Sequence, residues 1–359
     1  MKQGSSKIDA ALGYGFDTYA GFYRAFCREF GATPSAFLKS CRARRPYRID
    51  LSREECMTIT HINAARILKH WNLDGETITD IYNEGTGARN DNACYVGEAY
   101  VLKYTANPGK LMNHISVSKA IEGIGLLAAV PVKTADGQEY VREGELYFYL
   151  TRRIEGQQMV SHRFGDGDGR FVGEIIGQLH LALEKVDACV TEADLLATVR
   201  DWALPASGEA LGLTEDFRRD YLDTFAALYP GLPRQIIHRD PNPGNIIRAA
   251  DRWGFIDFDL SERNARIYDP CYAATAVLSE CFGQDNERWL EIYREILWGY
   301  DSVAHLTDEE RKAVPYVILA NQFVCVAWFA GQDKYAELFE INKAMTRWLM
   351  ERFADLANI

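Results

Sequence analysis

At 359 residues, with 47% hydrophobic and 25% charged residues, the chain has the balance of a soluble globular protein of one large or two medium domains. Its formal net charge of −11 disfavours nucleic acid as a substrate of the main body and suits a neutral or cationic small molecule. The N-terminus lacks the apolar core of a signal peptide, residues 317–330 are interrupted by Asn321 and Gln322, and the eight cysteines form no Cys-x-x-Cys, so a cytoplasmic protein with reduced thiols and no membrane partner is expected.

The charge is uneven. Residues 1–53 hold ten Lys/Arg against four Asp/Glu, about +6, which leaves about −17 for the remainder. Within that basic segment, residues 8–13 predict a short helix ending at Gly13. Asp17 and Thr18 offer capping oxygens to a second helix, on which Phe22, Phe26 and Phe30 form one apolar stripe. Pro34 opens a third helix, followed by Arg42, Arg44, Arg45 and Arg48. The stretch Gly15-Phe16-Asp17-Thr18-Tyr19-Ala20-Gly21-Phe22-Tyr23-Arg24-Ala25-Phe26, then Glu29-Phe30-Gly31-Ala32-Thr33-Pro34, resembles the second helix-turn-helix of AraC-type transcription regulators. The resemblance covers roughly residues 8–45 and implies DNA contact through Thr18, Tyr19 and Arg24, with a homodimer to supply the interface. The other reading of the same segment, an oligomerisation or packing element, stays open.

A helix is predicted over 58–71, strands over 78–82, 93–96 and 99–104, a helix over 111–123, and strands over 129–132 and 146–151. Three strands, one helix and two strands is the order of a kinase N-lobe. Beyond residue 168 the periodicity turns helical, over 171–186, 192–202, 215–228, 268–281, 287–300, 308–329 and 335–353. The expected fold is α+β: a bilobal protein-kinase-like arrangement with a β-rich N-lobe over 58–155 and a mostly helical C-lobe over 156–359. A small all-α helix-turn-helix segment over 1–50 precedes it.

The densest chemistry lies in Ile237-His238-Arg239-Asp240-Pro241-Asn242-Pro243-Gly244-Asn245, followed by Phe255-Ile256-Asp257-Phe258-Asp259. His-Arg-Asp-x4-Asn with a downstream Asp-Phe is a kinase-type arrangement. Asp240 is expected to orient an attacking hydroxyl and accept its proton, and Asn245 and Asp257 to share Mg2+ ions that bridge nucleotide phosphates. A turn between two strands would explain Pro, Gly and Asn here, but not His238, Asp240, Asn245 and Asp257 together.

Upstream, alternation puts Val101 and Lys103 on one face of a strand, from which Lys103 can reach the α- and β-phosphates of ATP. The turn Glu84-Gly85-Thr86-Gly87-Ala88-Arg89-Asn90 offers Gly85 and Gly87 for close backbone approach to phosphate, with Arg89 and Asn90 as side-chain donors where a third glycine is missing. A plain hairpin turn is the alternative. The only acid on the following helix is Glu122, close to its end, so the partner of Lys103 stays unassigned. Residues 147–154 are expected to form the last N-lobe strand and the hinge that meets adenine. His238 is expected to brace the catalytic loop, or to act on substrate, and Arg239 to pair locally. Asp259 assists the metal or holds its loop, and Asp269 caps the helix starting near Tyr268. Asp166-Gly167-Asp168-Gly169 opens like a calcium loop, but Gly177 stands where the bidentate Glu belongs.

The catalytic loop resembles that of the aminoglycoside phosphotransferase and choline kinase superfamily, over roughly residues 58–355 and most strongly over 236–270. That resemblance implies Asp240 as catalytic base, Asn245 and Asp257 as metal ligands and Lys103 as phosphate-binding lysine, with ATP and Mg2+ as cofactors and a small-molecule hydroxyl acceptor. Only eleven residues separate Asp257 from Asp269, no Ala-Pro-Glu follows, and Asp259 stands where protein kinases have glycine, which argues against peptide substrates. Helices within 191–230 and at the C-terminus are expected to line the acceptor pocket. Asp259 and Glu262 are candidates to hold an ammonium group of an aminoglycoside, amino sugar, amino alcohol or homoserine-like acceptor. Two other readings stand beside this one: a DNA-binding regulator whose kinase-like domain senses a ligand, and a nucleotide-binding pseudo-enzyme. The intact Lys103, Asp240, Asn245 and Asp257 argue against the sensor, and ATP binding without transfer would distinguish the pseudo-enzyme.

Overall fold

Period-two alternation in residues 78–105 builds the first sheet. In the computed structural model, which describes residues 61–82, 89–250, 252–332 and 336–358, helix α1 (His61–Leu68) precedes strands β1 (Ile78–Tyr82), β2 (Arg89–Val96) and β3 (Tyr100–Thr105). The chain divides into two units, Met1–Asp50 and Leu51–Ile359, and every described residue belongs to the second. The helix-turn-helix expected over 1–50 lies outside the described residues, as do Gly85, Gly87 and the side chain of Arg89.

Strands β1, β2 and β3 form an antiparallel meander in which Cys94 pairs with Leu102, and Ala93 with Lys103. Leu102 and Tyr104 therefore face the N-lobe core with Cys94, Val96 and Trp71, whereas Val101 and Lys103 face the opposite side. Helix α2 (Pro108–Gly123) begins with Pro108 in its first turn, and the Asn107 side chain accepts from the Gly109 and Lys110 N–H groups. After it, β4 (Leu127–Ala128) leaves the N-lobe sheet altogether and pairs in parallel with Gly254 and Phe255. The strand expected over 129–132 is reduced to one bridge between Pro131 and Thr151, because proline lacks the N–H that a ladder needs. An unpredicted strand, β5 (Val141–Glu143), takes the edge instead and pairs with β6 (Leu146–Arg152). The sheet order is β1-β2-β3-β6-β5.

The chain crosses to the helical lobe through Gly156, whose φ of 138° and close approach to the Arg248 carbonyl admit no side chain. There β7 (Gln157–Gln158) is followed by α3 (Asp168–Leu183) and β8 (Thr191–Glu192). The single helix expected over 192–202 is instead α4 (Leu195–Thr198), a π turn over Val199–Ala203, and α5 (Leu204–Leu211). Helix α6 (Glu215–Leu228) is capped by Thr214. Two small sheets carry the loops that follow. One, ordered β4-β11-β10-β7, contains β10 (Ile246–Arg248) and β11 (Trp253–Phe255); the other, ordered β8-β12-β9, contains β9 (Arg234–Ile237) and β12 (Glu262–Ala265).

Helices α7 (Tyr268–Cys281), α8 (Asn286–Val303), α9 (Asp308–Phe329), α10 (Ala336–Glu351) and α11 (Phe353–Leu356) complete the lobe. Its core joins α3, α7, α8 and α9 through Ile176, Val277, Tyr293, Ile296 and Ile318. Helices α3 and α8 touch backbone to backbone: a methyl group on Gly173 would overlap the Ile296 carbonyl oxygen. By length and composition α9 could cross a membrane, but it is mostly buried in this lobe, including Asn321 and Gln322. This is a kinase-like bilobal fold, a β-sheet lobe followed by a helical one.

Candidate active site

Pairing of β9 with β12, and of β10 with β11, brings the loop 238–245 against the loop 256–261. The Ile256 N–H donates to the Asn245 carbonyl at 3.0 Å. Both loops depart from ordinary backbone geometry, at Arg239 (φ 75°) and Asp257 (φ 67°). Left-handed conformations cost non-glycine residues about 1–3 kcal/mol each and persist only where the surroundings hold them. At Arg239, Asp269, fully buried at the start of α7, does the holding. It accepts from the His238 N–H at 2.8 Å, the Arg239 N–H at 3.0 Å and the His180 ring at 3.0 Å. The capping role expected for Asp269 is therefore replaced by one in the catalytic loop, because its carboxylate points away from its own helix.

His238 is also fully buried, with its ring 4.9 Å from that of Phe258. Its Nε2 lies 3.0 Å from the Ile256 carbonyl, and its Nδ1 accepts from the Asp240 N–H at 3.3 Å. These two contacts select the tautomer protonated on Nε2. Both His238 nitrogens are occupied by backbone groups, which leaves none for a substrate.

Asp240 is held on two sides: Asn242 Nδ2 donates to its Oδ1 at 2.8 Å, and Asn245 Nδ2 lies 3.2 Å from its Oδ2. Burial raises its pKa above the usual carboxylate value, against the lowering effect of Asn242. Asn245 Nδ2 also donates to the Asp240 carbonyl at 2.9 Å. With two acceptors facing it, that atom must be the nitrogen, so the amide oxygen of Asn245 is left over.

Across the cleft, Lys103 Nζ lies 2.7 Å from Asp257 Oδ1 and 3.8 Å from Asp259 Oδ1. Burial works to lower the lysine pKa, but Asp257 and then Asp259 outweigh it and hold the ammonium well above its ordinary value. In the same way burial raises Asp257, but the Lys103 charge and hydrogen bond prevail and hold it at about 2. Asp259 goes the other way. It is more enclosed, and burial lifts it to about 7 despite Lys103.

The structure gathers Lys103, Asn90, Asp240, Asn245 and Asp257 around one cavity of about 710 Å³ between the lobes, with Val101 and Thr151 also on its wall. His238, Asp259 and Glu262 do not line it. Asp259 accepts from the Tyr149 hydroxyl at 3.0 Å. Glu262 lies 2.8 Å from Arg239 Nε and accepts from Asn264 Nδ2 at 2.8 Å, so it is not a lone carboxylate awaiting an ammonium. None of residues 191–230 lines the cavity, because those helices pack on α9 and the lobe core instead.

Sequence reasoning missed His114. Helix α2 sets it, fully buried, on the cavity wall with Nε2 2.9 Å from the Ala129 carbonyl and Nδ1 3.4 Å from Asp259 Oδ1. Burial and then the Lys103 charge lower its pKa to about 3, so it is neutral near pH 7. Glu122, by contrast, is exposed at the end of the helix. Tyr149 and Asp269 were missed as site residues too, since nothing local distinguishes a core tyrosine or a helix-start aspartate from one that holds a loop.

The family model described as Phosphotransferase enzyme family matches residues 86–306. A homoserine kinase of Phenylobacterium zucineum is 33% identical over 105 residues, which is 29% of this chain and 32% of that protein. One of Granulibacter bethesdensis is 27% identical over 245 residues, 63% of this chain and 73% of that protein. The chain thus spans about a third of the first relative's length and nearly three quarters of the second's. Among solved structures, a microcompartment-associated aminopropanol kinase superposes with a TM-score of 0.61 at 14% identity, over 82% of this chain and 98% of that one. A choline/ethanolamine kinase family protein from Mesorhizobium loti gives 0.58 at 17%, over 83% and 98%. At these identities the structural likeness is one of fold.

Proposed function

The chain belongs to the phosphotransferase enzyme family, and on that footing we propose that it transfers the γ-phosphoryl group of ATP to a hydroxyl of a small amino alcohol or homoserine-like molecule, in the cytoplasm. The observation that carries this reading is the meeting of Lys103, Asp240, Asn245 and Asp257 on one cavity between the lobes. The homoserine kinase relatives and the aminopropanol kinase neighbour support the acceptor class.

In this reading Lys103, kept charged by two carboxylates, faces the nucleotide phosphates. Asp240, fixed by Asn242 and Asn245, orients the acceptor hydroxyl in line with the γ-phosphorus. As the new P–O bond forms, the hydroxyl proton passes to the Asp240 carboxylate and the bond to ADP breaks. The left-over amide oxygen of Asn245 and the ionised Asp257 would hold Mg2+. Two hard oxygens suit that ion, which keeps several waters and takes its other ligands from substrate phosphates. Bound Mg2+ supplies charge neutralisation at the phosphates.

The test is Mg-ATP consumption by the purified protein over a panel of aminoglycosides, amino sugars, choline-like alcohols and homoserine, with Asp240→Ala as control. Turnover lost in the variant, with the fold retained, is the expected result. Near-normal turnover in Asp240→Ala overturns the assignment.

A further inference from the structure

The only acid of helix α2, Glu122, is exposed at its far end, so the helix supplies Lys103 with no counter-ion. It supplies His114 instead, which shares the cavity wall with Lys103. The His114 Nε2–H donates to the Ala129 carbonyl at 2.9 Å, which fixes the tautomer and leaves Nδ1 as an acceptor. That nitrogen is buried, has no hydrogen-bond donor among the described residues, and lies 3.4 Å from Asp259 Oδ1. Lys103 Nζ lies 3.8 Å from the same oxygen. The Tyr149 ring flanks both groups, its centre 5.0 Å from that of the His114 ring and 5.9 Å from Lys103 Nζ. One carboxylate oxygen and one ring thus hold the ammonium and the open imidazole nitrogen side by side.

Charge explains why an imidazole stands here. Lys103 already has two carboxylates, Asp257 and Asp259, within 3.8 Å. A third, from α2, would be a buried anion without a cation of its own. A neutral ring offers Lys103 an acceptor and adds no charge.

We propose that His114 is a positioning residue for Lys103: with nucleotide bound, its Nδ1 accepts a hydrogen bond from the ammonium and takes the place that Asp257 leaves. The proposal rests on the phosphotransferase reading above, in which Asp257 serves Mg2+ and Lys103 gives up its 2.7 Å contact to face the phosphates. An ammonium carries three donors, so Lys103 can serve Asp259, His114 and a phosphate oxygen together. The imidazole is anchored on Ala129, and α2 is anchored on the loop beside it, since Asn113 Nδ2 donates to the Ser261 carbonyl at 2.8 Å. The acceptor is therefore already in place when the lysine turns, and because it is neutral the lysine charge stays undiminished for the phosphates.

The experiment measures Mg-ADP binding by calorimetry and steady-state turnover for wild type, His114→Leu, His114→Gln, Lys103→Met and the double variant of His114→Leu with Lys103→Met. Leucine keeps the bulk and removes the acceptor. His114→Leu is expected to weaken Mg-ADP binding about 10- to 100-fold and to raise KM for Mg-ATP in step, with KM for the acceptor unchanged. His114→Gln, whose amide oxygen accepts, is expected to recover part of the loss. In the Lys103→Met background, His114→Leu is expected to change nothing further. A merely structural histidine would lower Tm and leave the Mg-ADP affinity of folded protein unchanged. That result overturns the proposal, as does an equal loss with and without Lys103. If the His114 variants fail to fold, the nitrogen NMR resonance of His114 Nδ1 in otherwise wild-type protein decides. A shift on saturation with Mg-ADP that is lost in Lys103→Met upholds the proposal, and an unmoved resonance, or the same shift without Lys103, overturns it. If Mg-ADP binds but no alcohol is phosphorylated, the phosphotransferase reading falls and these binding outcomes still decide the role of His114. If Mg-ADP does not bind, both fall.

Discussion

Lys103 and Asp257 meet at 2.7 Å across the cleft although they lie 154 positions apart in the sequence. The partner of the strand lysine is thus the acid that follows β11, with Asp259 3.8 Å away, and the neighbour that helix α2 offers is the neutral His114. In Lys103→Met, Asp257 and Asp259 would face each other without a cation. Because Asp257 is 38% exposed, the loss of stability should be about 1–3 kcal/mol, less than for a fully buried pair. Turnover should fall about 100-fold or more. Urea unfolding and steady-state kinetics on one preparation check both.

Two groups beside that pair set opposite pH dependences of stability. His114 drops from 6.5 to about 3 on folding, so its contribution is complete above pH 6.5 and is lost as pH falls toward 3. Asp259 rises from 3.8 to about 7, so its contribution is present below pH 3.8 and is lost as pH climbs to 7. His114→Gln should therefore remove the rising limb of Tm between pH 4 and 6, and Asp259→Asn the falling limb. Parallel Tm profiles for wild type and both variants would contradict this assignment.

Asp269→Ala should be damaging at a distance from the chemistry. It strips acceptors from two backbone N–H groups of the catalytic loop and from the buried His180. Each unsatisfied buried group costs about 1–3 kcal/mol. The expected loss is about 3 kcal/mol or more by denaturant titration. Turnover should fall about 100-fold in the fraction that remains folded, since Asp240 loses its support.

Gly173→Ala tests the helical scaffold separately. The added methyl would force α3 from α8 at the Ile296 carbonyl, which should cost about 1–3 kcal/mol. The turnover of folded molecules should stay near wild type. A variant as stable as wild type would mean that the two helices are not in backbone contact.

Chelation should stop phosphoryl transfer, and added Mg2+ should restore it. Asn245→Ala should raise the Mg2+ concentration needed for half-maximal rate by about tenfold or more, because one of two protein oxygens is gone. Titration of initial rate against free Mg2+ at fixed ATP reads this directly.

The sequence by itself determined what is local. Helices α6 and α9 begin where Thr214 and the Thr307–Glu310 capping box end the preceding turn, and α7 also matches its predicted bounds. The alternation that sets Val101 and Lys103 on one face is equally local. So is the spacing of His238, Asp240, Asn245 and Asp257, a stretch of twenty residues folded back by two short strand pairs. Tertiary structure alone decided which distant groups meet: Asp257 as the partner of Lys103, His114 as the neighbour from α2, Asp269 as the clamp on the catalytic loop, and Arg239 against Glu262. It also moved the edge of the first sheet from 129–132 to β5, since Pro131 cannot continue a ladder. The physical reason is one of range. Caps, alternation and proline geometry act within a few residues, whereas a buried charge takes its partner from whatever the packed core brings within about 4 Å, and no local pattern encodes that choice.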